Sequence, residues 1–178
     1  RYFCSALHAN WWRQREKSGG QVVEQVIHMF DLMRYLMGDP VSVYSRQSNL
    51  FHQDVPDYTI EDVSTTIVNF PHGEMGVVYA TNNAIPGKWI NDYRVVAHRL
   101  TADFTNANTA TFTHTDQPDN PVTQIASEKD FRRALMLDLI HAINTGGETR
   151  TPMREGAKSL DLVLAARRSA DTKTEVSL

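Results

Sequence analysis

The longest helical pattern in the chain, from residue 20 to residue 37, is apolar over most of its surface. At about 100° per residue, Glu24, His28 and Asp31 instead align within roughly 60° of arc. Burying an acid or an imidazole without a partner costs several kcal/mol. We therefore expect this titratable stripe to face a cleft, a ligand or a second protein surface.

Turn residues mark both ends of this predicted helix. Ser18 and Gln21 form a capping-box pattern, which predicts that the helix begins near Gly20. The sequence Gly-Asp-Pro at residues 38–40 predicts its end. The preceding residues 11–20 contain two adjacent tryptophans and an Arg-Gln-Arg-Glu-Lys charge run, which we interpret as a solvated loop.

The remaining patterns predict a group of short strands followed by two helices. The turn Pro-His-Gly at residues 71–73 lies between two β-rich segments and predicts a hairpin. Strands are predicted over residues 2–9, 41–50, 63–70, 74–81, 93–98, 100–104, 109–113 and 174–178, and helices over 131–145 and 154–170. Strands and helices that are segregated in this way predict an α+β fold. We expect an open, predominantly antiparallel β-sheet with helices packed on one face and the other face available for oligomerisation.

Composition and charge exclude several classes of partner and of protein. The chain has 178 residues, which suits one domain or one domain with an arm. Its net charge is −3 and its basic residues form no block, so nucleic acid is not an expected partner. No apolar run approaches the roughly 18 residues that span a bilayer. Cys4 is the only cysteine, which excludes an internal disulfide and fits a reducing compartment; we expect a cytoplasmic protein.

The stripe offers acid–base chemistry. A neutral imidazole such as that of His28 can take up or release a proton near pH 7, as the oxidation of an alcohol requires of its base. Glu24, one turn earlier, can orient the ring or bind a substrate hydroxyl, and Asp31 can fix the other ring nitrogen. The competing interpretation is a core histidine that is satisfied within a polar network.

A metal site is a second alternative for the same residues. Glu24 and His28 stand at the spacing that can bind one Zn²⁺ from a helix. A further ligand would have to come from elsewhere in the chain, where the histidines available are His52, His72, His98 and His114. No tight cluster of ligands occurs in the sequence, so the acid–base interpretation is preferred.

Trp11, Trp12 and Arg13 precede the helix and suit the apolar faces and hydroxyls of a sugar, although tryptophans beside a sheet often just fill a core. Asn82 and Asn83 could bind polyol hydroxyls but are interpreted as turn residues. The sequence contains no G-x-G-x-x-G, G-x-x-x-x-G-K-[ST] or G-x-S-x-G motif. It therefore has no recognisable site for a dinucleotide phosphate or a serine nucleophile.

Three segments, taken in order, resemble the C-terminal domain of the Gfo/Idh/MocA oxidoreductases, the family of glucose–fructose oxidoreductase and inositol dehydrogenase. The first, GGQVVEQVIHMFDLMRYLMGDPVSVYS, carries the family's spacing of glycines, acid, histidine and aspartate. The second is EDVSTTIVNFPHGEMGVVYA, which resembles the central hairpin, and the third is REGAKSLDLVLAARRSADTKTEVSL, which resembles the closing helix and strand. The positions that match the family's first motif are Gly19, Gly20, Glu24, His28, Asp31 and Gly38.

The resemblance implies that residues 1–178 form a single C-terminal domain for substrate binding and oligomerisation, and that an N-terminal Rossmann domain holding NAD or NADP is absent from this chain. It implies that His28 is the catalytic acid–base and that Glu24 is the substrate-binding acid, where the family usually has aspartate. Asp31 would be a supporting residue. Trp12 and Arg13 fall where the family often contributes pocket residues. No cofactor-binding residue is implied in this chain.

We therefore expect the full-length protein to be an NAD(P)-dependent dehydrogenase of a sugar, polyol or related hydroxy compound, and this chain alone to be inactive. Its partners would be the small-molecule substrate and further copies of itself, as a homodimer or tetramer formed through the open sheet face. The alternatives are a non-enzymatic dimerisation or ligand-sensing module with the same fold, or a metal-dependent isomerase or hydrolase.

Overall fold

The computed structural model describes residues 1–4 and 9–178. Residues 5–8, which belong to the predicted first strand, lie outside the described residues. The chain divides into two compact units, the first formed by Arg1–Trp89 and Met153–Leu178 and the second by Ile90–Pro152. The α+β class is confirmed, because strands and helices occupy separate segments of the described chain.

The first unit contains five strands and most of the helices. In chain order its elements are β1 (Tyr2–Phe3), α1 (Asn10–Arg13), α2 (Arg15–Ser18), a π-helical segment (Val22–Val26), α3 (Ile27–Met37), β2 (Ser42–Ser48), β3 (Val63–Asn69) and β4 (Met75–Thr81). The second unit follows with β5 (Ile90–Asn91), β6 (Tyr93–Ala97), β7 (Leu100–Asn106), β8 (Thr109–His114), β9 (Val122–Ala126) and α4 (Phe131–Thr145). The chain returns to the first unit with α5 (Met153–Thr172) and β10 (Val176–Ser177).

The sheet of the first unit is open and mostly antiparallel. Its strands follow the order β10–β2–β3–β4–β1. Strand β1 runs parallel to its neighbour β4, with Tyr2 opposite Ala80, whereas β10 and β2, β2 and β3, and β3 and β4 pair antiparallel. The predicted hairpin is confirmed, since β3 pairs antiparallel with β4 in a register that places Ile67 opposite Val77. Alternate residues of these two strands are buried, as a sheet with one covered face requires.

Helices α3 and α5 cover the buried face of this sheet. Phe30 of α3 and Val163 of α5 are fully buried, and Ala165 and Ala166 let α5 approach the strands closely. Gly76 of β4 serves the same purpose for α3, because a Cβ atom at this position would lie 2.3 Å from the Sδ atom of Met33. The opposite face of β3 and β4 exposes apolar side chains. These are Ile67, Met75, Val77 and Tyr79.

Two predictions about the segment before α3 are wrong. The charge run expected to be a solvated loop is helical over most of its length: Arg13 ends α1, and residues 15–17 lie in α2, whose C-cap Gly19 has the left-handed conformation that glycine tolerates. The capping box is also absent: the Ser18 hydroxyl accepts a hydrogen bond from the Gly20 N–H, whereas the Val22 N–H is bound by a distant residue, Glu61. A side chain from another segment therefore replaces the local cap.

The second unit is built on an antiparallel sheet in the order β6–β7–β8–β9. Tyr93 and Phe104 stack with ring centroids 4.2 Å apart, and Phe104 meets Phe112 edge to face at 5.8 Å. The predicted start of α4 is confirmed by its cap, since the Asp130 carboxylate accepts the N–H groups of Arg132 and Arg133. Strand β9 is absent from the sequence prediction because its alternation is weak and all its residues are exposed. Across residues 1–4 and 9–178, none of the helices is both long and apolar enough to traverse a membrane.

Candidate functional site

Glu24 lies in the middle of the π-helical segment that leads into α3. The Trp12 indole donates a hydrogen bond from Nε1 to the Glu24 Oε2 atom at 2.7 Å. A neutral donor that faces a carboxylate makes a charge-assisted bond, which fixes the direction of the acid more firmly than a neutral pair would. Single-turn π-helical segments are frequent at functional sites. The sequence prediction of a regular α-helix from residue 20 did not contain this feature.

The Trp12 ring is fixed in a small apolar core. Only 1% of its surface is exposed, and it packs with Tyr58 and Ile60. The expectation that Trp12 offers a ring face to a sugar therefore does not fit its burial; in this structure it acts on the site through Glu24. Its neighbour Trp11 is 49% exposed, and the Arg13 carbonyl accepts the Thr59 N–H at 2.9 Å.

Asp62 holds the loop that contributes Tyr58 and Ile60 to this core. The Asp62 carboxylate is fully buried and accepts the backbone N–H groups of Leu50, Phe51 and His52 at 2.8, 2.7 and 3.1 Å. It also lies 3.0 Å from Nδ1 of the His52 ring, which stacks on Tyr58 with centroids 4.8 Å apart. Several hydrogen bonds from donors on one segment satisfy the buried charge and make the loop rigid.

His28 lies near the start of α3 and its side chain is exposed. The ring makes no hydrogen bond or ion pair with the described residues, in contrast with the side chains of Glu24 and Asp31, which accept hydrogen bonds from Trp12 and Ser159. An imidazole that is accessible and is not engaged by a neighbouring side chain can exchange a proton with a bound molecule. The exposure of the ring argues against the alternative of a histidine that is satisfied within the core.

Asp31 is tied to α5 instead of to His28. Its Oδ1 atom accepts a hydrogen bond of 2.6 Å from the Ser159 hydroxyl, and the same hydroxyl accepts one of 2.8 Å from Arg34. Arg34 is itself buried and also donates to the carboxylates of Asp39 and Glu155 at 2.6 and 2.9 Å. This network joins α3 to α5, so Asp31 supports the helix on which His28 stands and does not orient the imidazole directly.

Glu61 is a residue of this site that sequence reasoning missed. It is buried, and its Oε1 atom accepts the Val22 N–H at 2.6 Å, two residues before Glu24. Burial raises the pKa of Glu61 to about 7, although the Val22 N–H and the positive charges of Arg15 and Arg167 oppose that shift. The only signal in the sequence is its place in an acidic pair, Glu61–Asp62, directly before an apolar strand.

Cys4 is buried among β1, β4 and the helices. The Gln21 side-chain amide lies 3.9 Å from its Sγ atom. Burial raises the pKa of the Cys4 thiol to about 11, so the thiol is protonated at neutral pH and is a poor nucleophile.

The glycine pair before the π-helical segment does not fit the phosphates of a dinucleotide. A Cβ atom at Gly19 would lie 2.9 Å from Val23, and one at Gly20 would lie 2.4 Å from the Glu61 carboxylate. The space that a phosphate-binding glycine leaves open is thus filled here by side chains, one of them an acid. Across residues 1–4 and 9–178, the structure brings together no group of three or more His, Cys, Asp or Glu side chains that could hold a metal ion.

Comparison with known proteins gives one family and a consistent set of relatives. A family model described as the GFO/IDH/MocA C-terminal domain matches residues 1–105. Myo-inositol 2-dehydrogenase of Thermotoga maritima is 25% identical over 171 residues, which cover 90% of this chain and 50% of that protein. The oxidoreductase YrbE of Bacillus subtilis, whose function is uncharacterized, is 26% identical over 171 residues, which cover 90% of this chain and 49% of that protein.

Solved structures share the fold at lower sequence identity. Levoglucosan dehydrogenase in complex with NADH and levoglucosan matches with a TM-score of 0.87 and 18% identity, over 99% of this chain and 57% of that chain. Aldose–aldose oxidoreductase from Caulobacter crescentus, complexed with glycerol, matches with a TM-score of 0.80 and 22% identity, over 99% of this chain and 54% of that chain. This chain spans about half the length of the curated relatives that it matches.

Proposed function

This chain belongs to the Gfo/Idh/MocA oxidoreductase family, whose C-terminal domain it matches over residues 1–105, and we propose that it binds the substrate and forms the oligomer interface of an NAD(P)-dependent oxidoreductase of a sugar, polyol or related hydroxy compound. One observation carries this proposal. The Trp12 indole holds the Glu24 carboxylate, and the His28 imidazole, four residues later, is exposed and forms no hydrogen bond or ion pair with the described residues.

In this proposal His28 takes the proton of the reacting hydroxyl during oxidation and returns it during reduction. Glu24 accepts a hydrogen bond from a second substrate hydroxyl, and its bond to Trp12 keeps the carboxylate in one orientation. Asp31 supports His28 through its bond to Ser159 on α5. Arg13, next to Trp12, is retained as a further pocket residue.

The dinucleotide would be held outside residues 1–178, by a Rossmann domain of the full-length protein, because the glycine pair of this chain is filled by its own side chains. When bound, the nicotinamide supplies the acceptor or the donor of a hydride. Two similar proteins support the reaction class of this proposal and its use of a nicotinamide cofactor. One is named as a myo-inositol dehydrogenase, and the other is described in complex with NADH and levoglucosan.

A substrate panel tests this proposal. The full-length protein is incubated with NAD⁺ or NADP⁺ and with aldoses, ketoses, cyclitols and anhydrosugars, and formation of the reduced nicotinamide is followed by absorbance. We expect turnover with at least one hydroxy compound, and none when the 178-residue chain is assayed alone, since a chain that binds no nicotinamide has no hydride acceptor. Absence of turnover and of substrate binding by the full-length protein would favour a non-enzymatic module, and turnover by the chain alone would refute the placement of the cofactor.

The exposed face of the first sheet is proposed as the oligomer interface. Val77 lies at the centre of this face and is 55% exposed. Replacing Val77 by lysine should convert the full-length oligomer to monomers, because a charge would be buried against an apolar partner surface. Sedimentation velocity measures the change in mass. Val96, which is 74% exposed on β6, offers a matched control, and Val96→Lys should leave the mass unaltered. An unchanged mass in Val77→Lys, or a monomeric wild type, contradicts this interface.

A further inference from the structure

The buried Glu61 carboxylate is wedged against the turn that introduces Glu24. Its Oε1 atom binds the Val22 N–H at 2.6 Å. Its Oε2 atom is so close to Gly20 that a Cβ atom at that position would lie 2.4 Å away, and Gly20 has a φ of +102°, where a side chain is strained. Because the first N–H groups of a helix lack partners within it, this carboxylate fixes where the π-helical segment begins.

The segment that carries Glu61 also contacts Trp12, the hydrogen-bond partner of Glu24. Tyr58 and Ile60 pack around Trp12, whose indole donates to the Glu24 carboxylate. The Thr59 N–H donates to the Arg13 carbonyl at 2.9 Å and so fixes the backbone next to Trp12. Residues 58–61 therefore hold the Glu24 side chain through the indole and the Glu24 backbone through Val22.

We propose that Glu61 is a positioning residue for Glu24, and that its ionised form holds the first π-helical turn in the geometry that directs the Glu24 carboxylate at a substrate hydroxyl. A charged carboxylate accepts a shorter and stronger hydrogen bond from an N–H than a neutral carboxyl does. Protonation of Glu61 thus loosens the Val22 bond and, with it, the backbone that carries Glu24. The substrate-binding part of this inference rests on the proposed function; the structural link from Glu61 to Glu24 does not.

The effect of Glu61 on Glu24 should depend on pH near neutrality. Burial raises its pKa to about 7, so it changes from neutral to charged as the pH rises through neutrality. The charged groups that act on it are Arg15 of α2, which is paired with Asp171 at 2.5 Å, and Arg167 of α5. Further titratable groups of this region are Glu24, Tyr58, Asp62 and the His52 ring, and the charge of Glu61 acts on Tyr58.

Fluorine NMR of the full-length protein labelled with 5-fluorotryptophan measures the structural link. A Trp12→Phe variant assigns the Trp12 resonance. We expect this resonance to shift with a midpoint near pH 7 in the wild type, since Trp12 senses the Glu24 carboxylate, and to lose that titration in Glu61→Gln. The wild-type titration requires no Glu61 variant, so it tests the link even if Glu61→Gln fails to fold.

Three control variants identify the titrating group. Glu16→Gln makes the same change at an exposed glutamate of α2, and it should leave the midpoint in place. His28→Asn and His52→Asn remove the nearby imidazoles and should also preserve it. A Trp12 resonance that does not titrate near neutral pH overturns the proposal, as does a midpoint that disappears with either histidine.

Kinetics of the full-length protein measure the effect on substrate binding. Glu61→Gln should raise KM at pH 8 by roughly three- to tenfold, the difference expected between a charged and a neutral hydrogen bond, while kcat changes less than about twofold. The KM of Glu61→Gln at pH 8 should approach that of the wild type at pH 6. A loss confined to kcat, or an unchanged KM, refutes positioning. If no substrate turns over at all, the proposed function fails and the fluorine titration still decides the role of Glu61.

Discussion

Replacing His28 by alanine in the full-length protein should lower kcat by roughly 10²-fold or more, because general acid–base catalysis of this size is lost with the imidazole. The side chain is exposed, and its ring forms no hydrogen bond with the described residues. Its removal should therefore leave the free energy of unfolding within about 0.5 kcal/mol of the wild type. Steady-state kinetics and urea denaturation measure the two quantities.

The matched control for this variant is His72→Ala. His72 is a second exposed histidine and lies in the turn between β3 and β4, outside the candidate site. It should retain full activity. Added imidazole should partly restore the turnover of His28→Ala, since the exposed position leaves room for a free base, and should not accelerate the wild type. A near-normal kcat in His28→Ala excludes this residue as the acid–base.

Replacing Gly20 by alanine should lower the free energy of unfolding by about 2–4 kcal/mol. About 1–2 kcal/mol of this loss comes from placing a side chain at a positive φ. The rest comes from overpacking, since the new Cβ atom would lie 2.4 Å from the Glu61 carboxylate. Urea denaturation of the chain, followed by tryptophan fluorescence, measures the loss.

Gly73→Ala provides the reference for this measurement. Gly73 has a φ of +94°, close to the +102° of Gly20, but a Cβ atom there would meet nothing within 4 Å. It should cost only the conformational part, about 1–2 kcal/mol. The excess loss in Gly20→Ala should shrink when Glu61 is also truncated to alanine, because the two changes then share one contact. Equal losses of unfolding free energy in Gly20→Ala and Gly73→Ala would show that the Glu61 carboxylate does not restrict the space at Gly20.

Features with local causes were predictable from the sequence. The hairpin of β3 and β4 follows from alternation on both sides of a Pro-His-Gly turn, and the register of the two strands follows from the same alternation. Helix α4 follows from its Asp130 cap and its apolar face. The division into two units was not predicted, because the Gly and Pro residues near its boundaries, at 86–87 and at 146–152, indicate turns between elements and not the limits of a compact unit.

The candidate site was predictable in part, because its residues stand on one helix. The spacing of Glu24 and His28 indicates a shared face, and the resemblance to a family assigns the two side chains their proposed roles. The partners of these residues could not be read from the sequence. Glu61 binds Val22 across 39 residues and Ser159 binds Asp31 across 128, and neither pairing leaves a local pattern.

Trp12 illustrates the same limit of local patterns. Two adjacent tryptophans give no indication of which ring is buried, since both have the same propensity. Trp12 is buried because Tyr58 and Ile60, which follow β2 in the chain, pack against it, whereas Trp11 is exposed. The π-helical segment arises in the same place, where the Glu61 carboxylate sets the first turn instead of a local cap. The local sequence therefore predicts that an acid stands at Glu24, whereas the orientation of its carboxylate depends on long-range packing.

A crystal structure of the full-length protein with its cofactor and a substrate from the panel tests the central claim most directly, through the distance from the reacting hydroxyl oxygen to the His28 ring. We predict that a ring nitrogen of His28 lies within about 3.2 Å of that oxygen, and that the Glu24 carboxylate accepts a hydrogen bond from another hydroxyl of the same molecule. A substrate bound with its reacting carbon at the nicotinamide, but with His28 and Glu24 both out of hydrogen-bonding reach, would contradict the account.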